Sequence, residues 1–205
     1  MESMSQASQD LFYLHMLHYK KDGTFVEIGS NHPITHNNTY IAESKYNWHG
    51  IMVEYDSSFE PLYNAHRQNS IHVINDACKV DYRAILDSNG FPTDIDYLQI
   101  DLDVNTRSTL DVLELFDKTV FDTYRFATVT FEHDIYTGNH FDTRRKSREI
   151  LEKRGYKLVF PDVSVFWDGS NKPFEDWYVH PSLVPNYKSS DTSLPHTSII
   201  EFLQQ

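Results

Sequence analysis

Cysteine, glycine and long apolar runs are scarce in this chain of 205 residues, and each scarcity excludes a class of protein. Cys78 is the single cysteine, which excludes an intramolecular disulfide and a cysteine-based zinc site. That usage fits a reducing compartment and predicts a cytoplasmic protein. No run approaches the roughly 20 apolar residues that a membrane span needs. Residues 1–20 lack the apolar core of a signal sequence.

Basic residues are also in the minority, with Lys+Arg 18 against Asp+Glu 30 and a formal net charge of -12. Such a surface repels phosphate backbones, so we expect no nucleic-acid partner. The one dense basic stretch is read as the solvated face of a helix; it comprises Arg144, Arg145, Lys146 and Arg148. The length and the 40% hydrophobic content predict one folded domain over residues 1–180, including an N-terminal helical segment over 1–23. Residues 181–205 are rich in Ser, Pro and Asn and are expected to lie as a tail.

Strand and helix patterns alternate along the chain. Short runs rich in β-branched and aromatic residues predict strands at 24–28, 51–55, 71–74, 97–100, 126–131, 156–160 and 174–179. Most are followed by a segment of helical periodicity. This order predicts an α/β fold with a doubly wound, mostly parallel seven-stranded sheet and helices on both faces. Ligands bind past the carboxyl ends of the strands in such sheets.

Five candidate residues fall at those strand ends: Gly29, Glu54, Asp76, Asp101 and Glu132. The turn after the first strand has one glycine where a dinucleotide-binding turn has three, which argues against NAD and FAD. S-adenosylmethionine (SAM) carries no phosphate and needs only a tight turn with a few polar groups. Glu54 can accept hydrogen bonds from ribose hydroxyls, and Asp76 from an adenine amino group with Ala77 beside the ring. Capping of the next helix is the alternative role, and for Asp76 taken alone it is the favoured one.

Several motifs in order resemble the FkbM-type methyltransferases, a SAM-dependent family. They are Ser5–Gln6, Gln9–Asp10–Leu11–Phe12, Gly23–Thr24–Phe25–Val26–Glu27–Ile28–Gly29, Asn38–Thr39–Tyr40, Trp48–His49–Gly50–Ile51–Met52–Val53–Glu54 and Leu98–Gln99–Ile100–Asp101–Leu102–Asp103. The resemblance spans roughly residues 5 to 180. The chain departs from the family at Asp103–Val104, where Glu-Gly is common, and at His32–Pro33 in the first turn. These departures affect acceptor choice and the shape of the methionine pocket.

The resemblance implies the class I SAM-methyltransferase (Rossmann-like) fold and a methyl transfer to hydroxyls of sugars, lipid-linked glycans or macrolide-like compounds. It implies a cofactor site made by Gln9, Glu27, Gly29, Asn31, Thr39, Glu54, Tyr55, Asp76, Ala77 and Asp101. A weaker likeness is to methyltransferase modules of large-virus glycan-synthesis enzymes, which would place the protein in a host cytoplasm.

The chemistry is expected where the fourth and fifth strands end. Adjacent strands lie ~4.8 Å apart, so side chains after them can converge. Asp101, Asp103, Glu132 and His133 are the predicted ligands of a divalent metal, Mg²⁺ or Mn²⁺, that would activate an acceptor hydroxyl. Asp101, Glu132 and His133 are the predicted catalytic residues, with His133 as the general base if no metal is used. Helix capping and a buried hydrogen bond are the structural alternatives for these side chains.

The resulting prediction is a SAM-dependent O-methyltransferase that acts on a sugar or glycan hydroxyl. A non-sugar small-molecule acceptor and a catalytically silent SAM-binding module stay open as alternatives. Five aromatic or imidazole side chains after the catalytic strands are candidates for acceptor contacts or for core packing; they are Tyr136, His140, Trp167, Trp177 and Tyr178.

Overall fold

The computed structural model describes residues 2–205, and these form a sheet of seven strands flanked by helices. The strands are β1 (Thr24–Ile28), β2 (His49–Glu54), β3 (Ile71–Ile74), β4 (Asp94–Ile100), β5 (Arg125–Glu132), β6 (Lys157–Trp167) and β7 (Ser170–Val179). Their spatial order is β3-β2-β1-β4-β5-β7-β6. Strands β1 to β5 pair in parallel, as the alternation of strands and helices predicts. The predicted fold class is thereby confirmed.

The last two strands run against this direction. β7 is antiparallel to both β5 and β6. β6 and β7 are joined by Asp168 and Gly169, whose φ angles are 50° and 75°. Two consecutive residues with positive φ make the two-residue turn that suits an antiparallel hairpin. The hairpin therefore places β7 between β5 and β6, and β6 is the edge strand of the sheet.

Helices cover both faces of the sheet. They are α1 (Gln9–Met16), α2 (Tyr40–Tyr46), α3 (Glu60–His66), α4 (Tyr82–Ser88), α5 (Ser108–Thr119), α6 (Phe141–Lys153) and α7 (His196–Gln204). Alternate side chains of β1 enter two separate cores, Val26 and Ile28 one of them and Phe25 the other. α4, α5 and α6 pack in the first core, and α1, α2, α3 and α7 pack in the second. Helices on both faces explain why both alternating sets of side chains in β1 are buried.

The two ends of the chain meet, which the sequence did not predict. Residues 181–205, expected as a tail, contain α7, whose Ile199 and Leu203 are buried in the second core. Ser8, expected to cap α1, has a φ of 61° and makes no capping bond. Its hydroxyl instead lies 2.9 Å from Nδ1 of His196 at the start of α7. No helix within residues 2–205 is both long enough and apolar enough to cross a bilayer.

Candidate functional site

A groove lies along the carboxyl edge of the sheet, where the ligand-binding rule places it. It consists of two adjoining cavities of about 440 and 380 Å³. Both are lined by Gly29, Glu54, Tyr55, Leu102 and Asp103. The first extends to the end of β3 at Asn75, Asp76 and Ala77, and the second extends to Glu27, Asn31, Gln99 and Asp101. The groove therefore runs across the ends of β3, β2, β1 and β4.

Gly29 forms the floor of this groove. Its φ is +84°, and a Cβ atom built there would lie 1.8 Å from the carbonyl oxygen of Asp101. The backbone N–H of Asp101 in turn donates to the carbonyl of Ile28 at 3.0 Å. The ends of β1 and β4 thus approach so closely that only glycine fits. The glycine predicted from the first turn is required by sterics.

Glu54, predicted to bind ribose, organises the loops around the groove. One carboxylate oxygen accepts from the backbone N–H of Asn31 at 2.7 Å. The other accepts from the N–H groups of Tyr55 and Asp56 at 2.8 and 2.9 Å. The side chain of Tyr55 is 80% exposed at the groove mouth. Glu54 therefore holds the loops after β1 and β2 together while it also lines both cavities.

Asp76 has the capping role that was the alternative for it. Its carboxylate accepts from the N–H of Cys78 at 3.0 Å and pairs with the ammonium of Lys79 at 3.0 Å. These bonds, the one from Lys79 first, hold the pKa of Asp76 below its usual value. Asp76 and Ala77 nevertheless line the first cavity. The capping turn presents both residues to the position predicted for an adenine ring.

Glu27 is a buried carboxylate at the other end of the groove. It accepts from Thr39 Oγ1 at 2.8 Å, Asn38 N at 3.0 Å and Asn37 Nδ2 at 3.2 Å. Burial raises its pKa to about 7, although Arg67 and these donors act in the opposite direction. Glu27 lines the second cavity, together with Asn31. A carboxylate here suits a ligand that carries a positive charge.

Arg67 holds this end together, and the sequence analysis missed it. Its guanidinium is fully buried and donates to Glu43 at 2.8 Å, Asn37 Oδ1 at 2.7 Å and Thr39 Oγ1 at 2.7 Å. Thr39, predicted to contact the cofactor, lies between Arg67 and Glu27 and does not line either cavity. Its effect on a ligand is therefore indirect, through the position of Glu27. A lone arginine after a short helix gives no local sign of this role.

The N-terminal segment also reaches the groove. Gln6 lines the second cavity. Gln9, predicted to contact the cofactor, is instead buried, where its Oε1 accepts from Ala7 N at 2.8 Å and its side chain bonds Glu175. Among the described residues, Gln6, His36, Gln99 and Leu102 line the second cavity without having been predicted as site residues. A loop residue that is brought in by a distant fold contact leaves no periodic signal in the sequence.

Asp101 and Glu132, the carboxylates predicted to be catalytic, lie within hydrogen-bonding reach of each other at the ends of adjacent strands. Burial and the charge of Asp101 raise the pKa of Glu132 well above its usual value. Burial first, and then the charge of Asp101, also raises the pKa of Asp134. Asp103 lies apart from this pair, where it caps the turn at Asn105 through a 2.9 Å bond.

His133 does not join these carboxylates, so the prediction of a shared site was wrong. Its buried Nε2 lies 3.4 Å from Asp176 Oδ1 and 3.5 Å from Asp162 Oδ1. Successive side chains of an extended chain point to opposite faces, so Glu132 and His133 cannot share one site. The four predicted metal ligands therefore do not converge. Within residues 2–205, His133, Asp162 and Asp176 are the group whose ligand atoms are close enough to hold a metal ion.

Arginines already occupy the cation positions around that group. Arg148 pairs with Asp176 at 2.7 Å and with Asp162 at 2.9 Å, and Arg144 also pairs with Asp162. These arginines were predicted to be a solvated helix face, but they are partly buried and attach α6 to the β6–β7 hairpin. The two guanidinium groups neutralise the carboxylates. The group is therefore explained as a structural ion-pair network.

Comparison with known proteins supports the fold. Neither protein-family models nor curated proteins match the sequence. Among solved structures, the chain is similar to a TehB-like SAM-dependent methyltransferase from Corynebacterium glutamicum, with TM-score 0.52, 12% identity and coverage of 84% of this chain and 87% of that chain. It is also similar to a putative rRNA methylase from Clostridium thermocellum, with TM-score 0.52, 12% identity and coverage of 87% and 99%. The methyltransferase domain of METTL16 gives TM-score 0.52, 9% identity and coverage of 82% and 63%. The chain therefore has the class I SAM-methyltransferase (Rossmann-like) fold.

Proposed function

We propose that this protein is a SAM-dependent O-methyltransferase that methylates a hydroxyl group of a sugar or glycan. The observation that carries the proposal is the groove that leads from Asp76 and Ala77, past Glu54 and Gly29, to Asp101, whose carboxylate lies beside that of Glu132. The resemblance to the FkbM-type family supports the choice of a hydroxyl acceptor. We also propose a cytoplasmic location, in keeping with the exposed free thiol of Cys78.

The side chains that line the groove support SAM as its ligand. The first cavity offers the apolar Ala77 and the acceptor Asp76 to a nucleobase, and Glu54 to ribose hydroxyls. The second cavity offers the Glu27 carboxylate to the ammonium of the amino-acid end. Gly29 provides the close backbone approach that a Cβ would fill. When bound, SAM supplies an electrophilic methyl group.

The carboxyl pair provides the proton acceptor for the acceptor hydroxyl. An aliphatic hydroxyl becomes a good nucleophile only as its proton is removed. Glu132 is the proposed base because burial and the charge of Asp101 raise its pKa, which makes its carboxylate a stronger proton acceptor. Asp101 accepts a hydrogen bond from Gln99 Nε2 at 3.2 Å and is the proposed positioning residue for Glu132. His133 has no part in this step, since it faces the ion-pair network.

Metal assistance is a second form of the same proposal. The carboxylates of Asp101 and Glu132, whose hard oxygens suit Mg²⁺ or Mn²⁺, would approach the ion. Within residues 2–205, no third His, Asp or Glu ligand atom lies close enough to complete a three-ligand group with them, so the rest of the coordination would come from water or the acceptor. Removal of cations with EDTA separates the two forms: activity that survives EDTA supports the carboxyl pair, and activity that is lost and then restored by Mn²⁺ supports the metal.

The charge of the protein favours a neutral acceptor. One of the similar structures is described as a putative rRNA methylase, so RNA is the competing class of acceptor. A net charge of -12 opposes a polyanion, because each phosphate must be neutralised by basic groups. A neutral glycoside meets no such repulsion.

The decisive experiment measures binding and transfer separately. Calorimetry with SAM should give saturable binding, and Glu54→Gln should weaken it by about 1–3 kcal/mol through lost ribose bonds. Glu60→Gln, an exposed substitution of the same type, is the control. Mass spectrometry after incubation with SAM and neutral glycosides should detect the gain of one methylene. Failure of the folded protein to bind SAM would refute the proposal. SAM binding without transfer to any glycoside would favour the silent module, and transfer to RNA would replace the acceptor class.

A further inference from the structure

An exposed aromatic surface lies beside the carboxyl pair and is not part of the groove. Tyr136, Trp167, Asp168 and Lys172 line a cavity of about 260 Å³, here named the hairpin cavity. It shares no lining residue with the two groove cavities. The side chain of Trp167 is 65% exposed and that of Tyr136 is 38% exposed. Large aromatic groups left in water around a concavity mark a binding surface.

The β6–β7 hairpin fixes which side chains face this cavity. Trp167 pairs with Ser170 and Val165 pairs with Lys172 in the antiparallel register. Residues directly opposite each other, and those two positions apart, point to the same face, so Trp167 and Lys172 share one face. Phe166 pairs with Asn171 and points to the other face, where it is 72% exposed. The two-residue turn at Asp168 and Gly169 sets this register.

The hairpin also fixes where the cavity lies. Glu175 of β7 is paired with Glu132, the last residue of β5. β7 begins five residues earlier, at Ser170, so the antiparallel ribbon extends past the carboxyl end of β5 by roughly 3.4 Å per residue. Tyr136 links the hairpin cavity to the end of β5. It lines the cavity, and its pKa is raised first by burial and then by the nearby charges of Asp134 and Glu132. The cavity therefore lies beyond the carboxyl end of β5, past Glu132 in the direction of the hairpin turn.

The chemistry of the cavity matches a hydroxylated ring. Aromatic faces cover the C–H face of a pyranose, while a carboxylate and an ammonium exchange hydrogen bonds with its hydroxyls. Asp168 and Lys172 supply one charge of each sign, so the cavity has no preference for an anion or a cation. Of the three remaining candidate side chains, Trp177 and Tyr178 are fully buried, and His140 is half-buried and does not line the cavity.

We propose that the hairpin cavity is a subsite for a second sugar unit, so that the acceptor is a glycoside of at least two rings. One ring places its hydroxyl at Glu132, and a further ring of the same glycoside stacks on Trp167 against Tyr136. This inference rests on the proposed function, since it extends the same acceptor site, and it adds the minimum size of the substrate.

Tryptophan fluorescence tests the subsite without any methyl transfer. Trp48 and Trp177 are buried and Trp167 is exposed, so a ligand in this cavity changes the emission of Trp167 alone. The probes are neutral mono-, di- and trisaccharides of the same sugars, titrated without SAM. We expect saturable changes for di- and trisaccharides, with dissociation constants at least tenfold lower than those of the monosaccharides. Tyr136→Ala should weaken binding by tenfold or more.

Phe166→Ala is the matched control, because it removes an equally exposed aromatic group from the opposite face of the same hairpin. Calorimetry should show that Trp167→Ala loses disaccharide binding and that Phe166→Ala retains it. No emission change with any saccharide, equal loss in both variants, or tighter binding of a short RNA than of the saccharides would overturn the subsite. SAM binding, measured in parallel, is independent of it: a protein that binds disaccharide but not SAM would refute the proposed function and keep the subsite.

Discussion

Nε2 of His133 lies 3.4 Å from Oδ1 of Asp176, on the side of the sheet that α6 covers, whereas Glu132 lies within hydrogen-bonding reach of Asp101 at the groove. His133 thus belongs to the ion-pair network, and Glu132 belongs to the candidate catalytic pair. We therefore expect opposite effects when these two consecutive residues are substituted.

His133→Ala should reduce stability and spare the chemistry. The change removes a buried partner of Asp162 and Asp176, although Arg148 continues to pair with both. We expect a loss of about 1–3 kcal/mol in the free energy of unfolding, measured by denaturant titration. The kcat of the folded variant should stay within a factor of about three of the wild-type value. A collapse of kcat at unchanged stability would restore His133 as the base.

Glu132→Gln should have the converse effect. We expect kcat to fall by roughly 10²–10⁴-fold, as for loss of a general base, with SAM affinity unchanged. Asp134→Asn is the comparison, since it removes a nearby carboxylate without removing the pair. A Glu132→Gln variant with normal kcat would exclude Glu132 as the base.

The pH dependence of activity should follow the raised pKa of Glu132. The base must be ionised, so kcat/KM should be low in acid and rise as the pH passes the pKa of the pair. Because the charge of Asp101 contributes to the raised pKa, Asp101→Asn should shift this limb to lower pH. The measurement is kcat/KM against pH for both proteins. If the acid side of the kcat/KM profile is the same in both proteins, a group other than the carboxyl pair controls the rate.

Gly29→Ala should abolish SAM binding. Its Cβ would lie 1.8 Å from the Asp101 carbonyl, in addition to the strain of a φ of +84°. Gly90→Ala is the control, because Gly90 also has a positive φ, +67°, with no atom within 4 Å of the added Cβ. Both should lose about 1–2 kcal/mol of stability from the left-handed backbone, but only Gly29→Ala should lose more than that and fail in SAM calorimetry. Equal behaviour of the two variants would show that the close approach is unimportant.

Glu27 should make stability fall as the pH rises. Burial raises its pKa from 4.5 to about 7 in the folded protein, so folding favours the protonated form. The contribution of Glu27 to the free energy of unfolding is therefore greatest below the pKa of the unfolded state. It is lost as the pH rises through the pKa of the folded state, and the total loss is on the order of 3 kcal/mol. Glu27→Gln should flatten this part of the stability profile between pH 4.5 and 7. Denaturant titrations across that range provide the test; an unchanged profile would assign the ionisation elsewhere.

The ionisation of Glu27 should also change the affinity of the protein for SAM. The ammonium of SAM favours the charged carboxylate, so SAM affinity of the wild type should increase as the pH rises through about 7. The Glu27→Gln variant should bind more weakly and lose this dependence in calorimetry. A pH-independent wild-type affinity would place the ammonium away from Glu27.

The sequence by itself determined the sheet and the order of its strand ends. Apolar runs of strand length, separated by helical segments, admit a doubly wound sheet and little else, and its carboxyl edge then collects Gly29, Glu54, Asp76, Asp101 and Glu132. Glycine in the first turn could be identified because its backbone conformation and sterics leave no alternative. These features depend on local patterns, which a linear sequence records.

The tertiary structure decided what each polar side chain faces. Register and strand alternation turned His133 away from Glu132, which residue types alone cannot reveal. Long-range contacts brought Arg67 to Glu43 and Thr39 and brought α7 against the N-terminal segment. The protruding hairpin exposed Trp167 while burying Trp177 of the next strand. Burial, and therefore pKa, is a property of the packed chain, because it depends on which distant residues exclude water from a group.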